Sequence, residues 1–225
     1  IGIFTDVNVN DKIEWIPTWY GERITEWASW TSSLNVDLIS YYKFDGIGTV
    51  NAEDNVSSFN FTLAGNPPHQ AGIINNSQLF TGGDNGDTGA IGWKLLNNFT
   101  VTGWVKFTDP SSRQDFYGMR KDANEFFQLN IGDGGSSFRI NVNDGATSGD
   151  FNCGTIVGAN QWTFFAIKFN GTVNLYHNGT FCSTGASGGK LQLSTATFDI
   201  GHSISGVNAM TGNLDEIGVW NRTLS

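Results

Sequence analysis

Apolar residues in this chain occur in short runs that turn-forming residues separate. In residues 162–180, the dipeptides Asn170-Gly171 and Asn178-Gly179 interrupt runs of aromatic and β-branched residues. An Asn-Gly pair between such runs is a strong signal for a β-hairpin. The pattern therefore predicts antiparallel strands joined by tight turns.

Residues 210–225 contain another run that is typical of a strand. Leu214, Ile217 and Val219 are apolar, and the acidic pair Asp215-Glu216 interrupts them. Apolar residues at this density predict a strand with one buried face. Two carboxylates inside such a strand need partners, which are a cation, backbone N–H groups or water.

The first residues alternate between apolar and polar side chains, as one strand with two different faces would. The apolar face carries Ile1, Ile3, Val7 and Val9. Four tryptophans follow, and residues 21–33 have the spacing of a short helix. This arm either packs on its own domain or adds a strand to the sheet edge of a neighbouring copy. Because that second contact runs head to tail, it would build a filament.

Composition agrees with a single β-rich domain. The chain has 225 residues, with 29 glycines, 4 prolines, 17 phenylalanines and 8 tryptophans. Glycines suit a chain that turns often, and two facing sheets about 10 Å apart can bury many aromatic rings. One all-β domain is a reasonable expectation at this length.

The net charge of the chain is −9, from 21 acidic and 12 basic residues. Nucleic acids and anionic membranes are disfavoured as partners, because both attract basic residues. No apolar run approaches the roughly 20 residues of a membrane span. Cations and neutral polymers such as polysaccharides remain compatible partners. Because the chain begins at Ile1 without a recognisable signal peptide, we expect a processed product or a fragment.

Four motifs occur in a fixed order along the chain. They are an aromatic-x-Phe-Asp-Gly run at 42–46, a Phe-Thr-x-x-x-Trp-Val run at 99–105, a Trp…Leu-Tyr-x-Asn-Gly unit at 162–179, and a Gly-x-Leu-Asp-Glu…Asn-Arg-x-Leu-Ser ending at 212–225. In this order the motifs resemble laminin-G-like domains of the concanavalin A-like lectin/glucanase superfamily, a group related to the pentraxins.

The resemblance implies an all-β fold, a two-sheet antiparallel jelly-roll sandwich over residues 38–225. Residues 1–37 would then form an N-terminal extension. Because this fold hosts many functions, the resemblance indicates structure more strongly than activity. The residues that we expect to be mostly buried are Phe44, Trp104, Trp162, Phe164, Leu175, Leu214 and Val219.

Cys153 and Cys182 each lie in a β-like run. Strands about thirty residues apart can be neighbours in a two-sheet fold of this kind, and we favour a disulfide over two free thiols. A reactive thiol would need a basic neighbour, and metal binding would need suitably spaced histidines.

Seven Asn-x-Ser/Thr sequons also favour export of the protein. They begin at Asn55, Asn60, Asn75, Asn98, Asn170, Asn178 and Asn221. Sequons, a disulfide and the resemblance together predict an extracellular or cell-surface glycoprotein.

Catalytic motifs are not recognisable in the sequence. Related β-glucanases carry a Glu-x-Asp-x-Glu strand that places carboxylates on one face. The acidic residues of this chain do not have that spacing, and its histidines do not fall in a nucleophile motif. We therefore predict a non-catalytic protein.

A structural calcium ion is the cofactor that the resemblance implies, where the first and last strands meet. Its candidate ligands are Asp215 and, from the first strand and the loop after it, Asp45 and Asp54. Calcium takes 6 to 8 oxygen ligands, which carboxylates and turn carbonyls supply. The alternative is that Asp215 caps a turn by accepting backbone N–H groups.

A second candidate site is a ligand-binding rim. Residues 120–125, with Asp122 and Asn124, resemble a pentraxin calcium loop, but the stretch around His202 lacks the carboxylates that pentraxins add. Further candidates in this rim are Asp84, Asn85 and Asp87. If a glycan binds there, these side chains would meet its hydroxyls while Tyr117 or Trp93 stacks on its ring.

Two functions follow from these observations. The first is an extracellular binding or adhesion module that recognises a glycan or a surface protein. The second is a structural subunit of a filament or coat, linked through the N-terminal arm.

Overall fold

The structure is a computed structural model, and it describes residues 14–15, 28–29, 32–46, 50–90, 98–132, 137–145, 148–186, 197–202 and 207–224. The chain forms two compact units, Ile1–Leu38 and Ile39–Ser225. In the first unit, strands β1 (Glu14–Trp15) and β2 (Ala28–Ser29) pair antiparallel, and a 3-10 helix covers Ser32–Asn35.

The helix expected over residues 21–33 is wrong at Ala28 and Ser29, which form a strand. Most of that segment lies outside the described residues, as do Ile1, Ile3, Val7 and Val9 of the predicted arm. Across the described residues, no helix has the length and hydrophobicity of a transmembrane span.

The remaining described strands alternate with turns and loops along the chain. They are β3 (Leu38–Tyr42), β4 (Asn51–Ala52), β5 (Phe61–Ala64), β6 (His69–Ala71), β7 (Asn76–Thr81), β8 (Asn85–Ala90), β9 (Phe99–Phe107), β10 (Gln114–Arg120), β11 (Glu125–Ile131), β12 (Ser137–Asp144), β13 (Ser148–Ile156), β14 (Trp162–Phe169), β15 (Thr172–His177), β16 (Thr180–Ala186), β17 (Thr197–Ile200) and β18 (Thr211–Trp220).

These strands form two large sheets. Sheet I has the order β16-β15-β14-β9-β18-β7-β6, and β3 also pairs with β18. Sheet II has the order β13-β12-β11-β10-β17-β8-β5-β4. The predicted fold class, a two-sheet antiparallel jelly-roll sandwich, is confirmed.

The core lies between the two sheets and is rich in phenylalanine. Alternate residues of β12 and β14 are buried, as the two-residue period of a strand requires. Phe116 of sheet II packs edge to face against Phe107 and Phe165 of sheet I, with ring centroids 5.5 and 5.4 Å apart. Such ring pairs stabilise the core beyond the area that they bury.

Burial of the predicted core residues follows strand alternation. Phe44, Leu175, Leu214 and Val219 are buried, as expected. Three aromatic residues of the set are less completely buried than these four: Trp104, Trp162 and Phe164. They occupy outward positions of β9 and β14, because their neighbours in sequence take the inward positions. An aromatic residue in a strand does not by itself indicate which face is buried.

Candidate functional site

A row of mostly polar side chains crosses the outer side of sheet II. Its members are cross-strand partners from one edge to the other: Asp150, Asn141, Gln128, Gly118, Asp199, Asp87, Thr62 and Asn51. Eight strands at about 4.8 Å spacing make this row about 34 Å long. The row is long enough to contact several units of a polymer.

Alternation along each strand fixes the direction of these side chains. In β11, Leu129 is buried in the core, so its neighbours Gln128 and Asn130 point outward. In β17, Phe198 and Ile200 fill the core in the same way, and Asp199 between them points outward.

One aromatic residue lies beside this row. Phe126 of β11 is half-buried, and its cross-strand partners are Arg120 and Asn143. We call the outward side of sheet II formed by Asp87, Arg120, Phe126, Gln128, Asn130, Asn141 and Asp199 the polar face.

Two amide side chains of the polar face are buried and incompletely hydrogen-bonded. Gln128 is 5% exposed and Asn130 is 0% exposed. Asn130 donates from Nδ2 to Asn141 Oδ1 at 2.5 Å. In the described part of the chain, Gln128 Nε2 and Asn130 Oδ1 have no hydrogen-bond partner. One atom is a donor and the other an acceptor, so together they match a ligand that offers both.

Asp199 is an acidic group with a perturbed pKa on the same face. Its side chain is buried, with 9% of the residue exposed. Burial and, to a smaller extent, the nearby Asp87 raise the pKa of its carboxyl from 3.8 to about 7, while Arg120 acts in the opposite direction. The carboxyl therefore changes charge near neutral pH.

The six predicted rim residues fall in different parts of sheet II. β17 runs antiparallel to β10 and β8, so His202 lies at the sheet end where β8 begins, near Asp84 and Asn85. The loop with Asp122 and Asn124 follows β10 and lies at the opposite end. The remaining residue of the set, Asp87, belongs to the polar face.

Two acidic residues of the predicted rim cap their own turns. Asp84 Oδ2 accepts hydrogen bonds from Thr81 N and Oγ1 at 2.9 and 2.6 Å. Asp122 Oδ1 accepts them from the backbone N–H groups of Asn124 and Glu125. Tyr117 is 0% exposed in the core, so the suggestion that it stacks on a sugar is wrong. Trp93 lies outside the described residues.

Among the three predicted calcium ligands, Asp45 and Asp215 face the same loop. Asp215 Oδ2 accepts hydrogen bonds from the backbone N–H groups of Ile73 and Ile74, at 2.7 and 3.3 Å. Asp45 Oδ1 accepts one from the Asn76 N–H at 3.1 Å.

Asp54 forms hydrogen bonds with other parts of the chain. Its Oδ1 accepts hydrogen bonds from the backbone N–H groups of Tyr41 and Val56, both at 3.0 Å. Among the described residues, no three His, Cys, Asp or Glu side chains form a metal-binding group.

Asp215 nevertheless keeps one free acceptor. It is 0% exposed, and its Oδ1 has no hydrogen-bond partner within the described residues. Burial raises the pKa of its carboxyl to about 8, as does the nearby Asp45, while the backbone hydrogen bonds act in the opposite direction. Burial also raises the pKa of Glu216 to about 8, and Tyr41 donates a hydrogen bond to this carboxyl.

Cys153 and Cys182 form a disulfide, the pairing that the sequence favours. Cys153 lies in β13 and Cys182 in β16, the edge strands of sheet II and sheet I. Of the seven sequon asparagines, Asn178 is half-buried and the other six are exposed. Asn178 Oδ1 also accepts a hydrogen bond from the Phe164 N–H at 2.8 Å.

Apart from Asp87, the polar face was not predicted as a site, although the sequence contains part of the pattern that indicates it. Gln128 and Asn130 alternate with apolar residues in β11, and Arg139, Asn141 and Asn143 do so in β12. That alternation shows that two strands have a polar side. It does not show that Asp199, about seventy residues away, lies beside them.

A family model described as the concanavalin A-like lectin/glucanases superfamily (Laminin_G_3) matches residues 80–225. The chain belongs to this superfamily. Known structures of the same fold include domain 4 of AbnA, a GH43 extracellular arabinanase from Geobacillus stearothermophilus, in complex with arabinotriose. It has a TM-score of 0.74 and 20% identity over 84% of this chain and 94% of that chain.

Two further known structures match this superfamily member with lower TM-scores. The botulinum neurotoxin serotype D binding domain has a TM-score of 0.60 and 19% identity over 86% of this chain, which spans 50% of that chain. The Ruminococcus gnavus IT-sialidase CBM40 bound to α2,3-sialyllactose has a TM-score of 0.50 and 18% identity, covering 58% of this chain and 78% of that one. At such identities the similarity shows the fold alone. No curated protein matches the chain in sequence.

Proposed function

We propose that this chain is an extracellular, non-catalytic glycan-binding module, and that the polar face holds the glycan. The observation that carries the proposal is a pair of buried amides, in which Gln128 Nε2 and Asn130 Oδ1 have no hydrogen-bond partner among the described residues. An unpaired buried polar atom costs about 1–3 kcal/mol, so a ligand that completes these hydrogen bonds is favoured.

The chemistry of the polar face suits a sugar. Each sugar hydroxyl donates one hydrogen bond and accepts others, which matches the amides of Gln128, Asn130 and Asn141. Phe126 adds a half-buried ring beside these amides. Binding sites commonly combine an aromatic surface with a few polar groups that fix the orientation of the ligand.

Several observations support an extracellular location. A disulfide persists in oxidising compartments, and six of the seven sequon asparagines are exposed. Two domains with the same fold were solved with saccharides, arabinotriose and α2,3-sialyllactose, and one of them belongs to an extracellular enzyme.

Calcium is part of the proposal as a structural ion. Asp215 Oδ1 is buried and has no partner among the residues that the structure describes, and Asp45 contacts the same loop, so these two carboxylates would hold the ion. Asp54 instead accepts hydrogen bonds from backbone N–H groups of β3 and of its own loop. Bound calcium would supply charge neutralisation for two close carboxylates.

Filament assembly is the alternative function. It depends on Ile1, Ile3, Val7 and Val9, which lie outside the described residues. The experiment that tests this alternative is deletion of residues 1–19. A folded protein that no longer polymerises would support filament assembly. We place glycan binding first because its evidence comes from described residues.

Binding to a panel of polysaccharides, measured by isothermal titration calorimetry, tests the proposed function. We expect Gln128→Ala to weaken binding about fivefold, because a net hydrogen bond contributes about 1 kcal/mol. The matched control is Asn174→Ala, which removes an amide from an outward position of β15 in sheet I. We expect the control to bind as the wild type does.

Two results would contradict the proposal. Failure of every polysaccharide to bind would remove the glycan-binding function. Release of reducing ends from a bound polysaccharide would show that the module is catalytic, with Asp87 and Asp199 as the neighbouring carboxyls to examine.

A further inference from the structure

We infer that the polar face selects uncharged, hydroxyl-rich glycans over acidic glycans, and that Asp199 is a determinant of this selectivity. The inference rests on the proposed function and names the class of ligand for the same site. It follows from the unpaired atoms and from the arrangement of charges around them.

The unpaired atoms require a ligand that both donates and accepts. Gln128 and Asn130 lie two residues apart on one side of β11, so their Cα atoms are about 7 Å apart. Gln128 Nε2 needs an acceptor and Asn130 Oδ1 needs a donor. A carboxylate or sulfate of an acidic sugar only accepts, whereas a hydroxyl satisfies either atom. A neutral sugar therefore completes both hydrogen bonds.

Carboxyl groups are concentrated on one side of these amides. Asp199 and Asp87 are cross-strand partners, and Asp199 is two strands from Gln128, with Gly118 between them. Two strand spacings are about 10 Å. An anionic group bound at Gln128 would therefore lie about 10 Å from Asp199 and about 14 Å from Asp87, both within the Debye length of about 30 Å at an ionic strength of about 0.01 M.

Basic residues compensate this charge only in part. Arg139 forms an ion pair with Asp150 in the row of the polar face. Arg120 lies on the same face and favours the ionised form of the Asp199 carboxyl, so its charge offsets one of the two carboxylates. Above about pH 7, where Asp199 is ionised, the region holds two carboxylates and one guanidinium, so it repels anions. A sugar hydroxyl, in contrast, can donate a hydrogen bond to Asp199.

The test compares neutral polysaccharides (galactan, arabinan, xylan, mannan and β-glucan) with acidic ones (polygalacturonate, alginate, hyaluronate and heparin). Binding is measured by affinity electrophoresis and calorimetry at an ionic strength of about 0.01 M and at about pH 8.5, where the Asp199 carboxyl, with its pKa of about 7, is ionised. We expect the wild type to bind at least one neutral polymer and to bind every acidic polymer more weakly. Asp199→Asn keeps the size and one acceptor oxygen. We expect it to raise the affinity for acidic polymers roughly tenfold while changing that for the neutral one much less.

Asp109→Asn is the matched control. It makes the same chemical change in the exposed loop between β9 and β10, and we expect no effect on selectivity. If Asp199→Asn does not fold, as judged by circular dichroism, Asp87→Asn removes the neighbouring charge and should shift selectivity in the same direction.

The outcomes separate the two proposals. Stronger binding of an acidic polymer than of every neutral one overturns the selectivity but leaves glycan binding intact. Unchanged affinity for acidic polymers in both folded Asp variants overturns the role of Asp199. If no polymer binds, the proposed function fails, and the selectivity fails with it.

Discussion

At the scale of single residues, the acidic groups of this protein are set apart by burial. Asp199 on the polar face and Asp215 in β18 both have pKa values raised chiefly by burial, to about 7 and about 8. A buried carboxyl that stays protonated near neutral pH costs less than a buried anion. Each of these groups is therefore a place where a proton and a ligand can compete.

Asp215 leads to a prediction about stability. Its pKa is raised from 3.8 to about 8 in the folded state, so the folded protein binds a proton that the unfolded chain has released. The stabilisation is present below about pH 4 and is lost as the pH rises through about 8. In the presence of a chelator, we expect the Tm of the wild type to fall between about pH 4 and about pH 8. We expect the Tm of Asp215→Asn to fall less over the same pH range.

Adding calcium at pH 8 provides the second arm of this measurement. We expect calcium to raise the Tm of the wild type and to leave that of Asp215→Asn unchanged. The calcium proposal is wrong if both proteins respond equally, whereas a pH profile unaffected by the substitution would contradict the protonation of Asp215.

At the scale of elements, β18 depends on a close approach between strands. Gly212 begins the pairing of β18 with β9, opposite Phe107, and its φ is 149°. A Cβ atom there would overlap the carbonyl oxygen of Lys106 and come within 2.9 Å of Phe107 Cα. Both contacts are to backbone, which cannot move without breaking the sheet.

Gly212→Ala should therefore be strongly destabilising. We expect a loss of at least about 2 kcal/mol in the free energy of unfolding, from backbone strain and overpacking. Gly83→Ala is the control, because a Cβ at Gly83 meets no atom within 4 Å. Urea denaturation of the two variants checks the difference, and equal stabilities would show that β18 tolerates a wider spacing from β9.

At the scale of the whole molecule, the disulfide joins the two sheets. Cys153 and Cys182 lie in β13 and β16, at the same end of the strand order of each sheet. The edges of a sandwich are the places where its sheets can separate most easily, so a covalent link there opposes that separation.

Removing this link should lower stability without changing the fold. The two cysteines are 29 residues apart, and closing a loop of that length stabilises by about 3.6 kcal/mol in the chain-entropy model. We expect Cys153→Ser/Cys182→Ser to lose about this amount in chemical denaturation, with unchanged far-ultraviolet circular dichroism. Reduction of the wild type with dithiothreitol should reproduce the loss. If only the double variant loses stability and the reduced wild type does not, the loss comes from the serine side chains and not from the missing disulfide.

The sequence predicts local features of this molecule better than long-range ones. Hairpins at Asn170 and Asn178 and the strand of residues 211–220 follow from turn residues and apolar runs. The outward positions of Trp104 and Phe164 do not follow, because both faces of β9 and β14 carry aromatic residues. The polar face depends on the register of strands far apart in the chain, and alternation within one strand does not determine which strand lies beside it.

The position of β18 also has a consequence for synthesis of the protein. This strand lies in the interior of sheet I, between β9 and β7, and it follows every other strand of the sheet in sequence. During translation, β9 and β7 therefore expose unpaired edges until residues 211–220 have left the ribosome. Non-local pairing of this kind is slow, and unpaired edges invite aggregation. Folding of this domain therefore requires residues 211–220 outside the ribosome, and a nascent chain that stalls before Thr211 keeps the edges of β9 and β7 exposed.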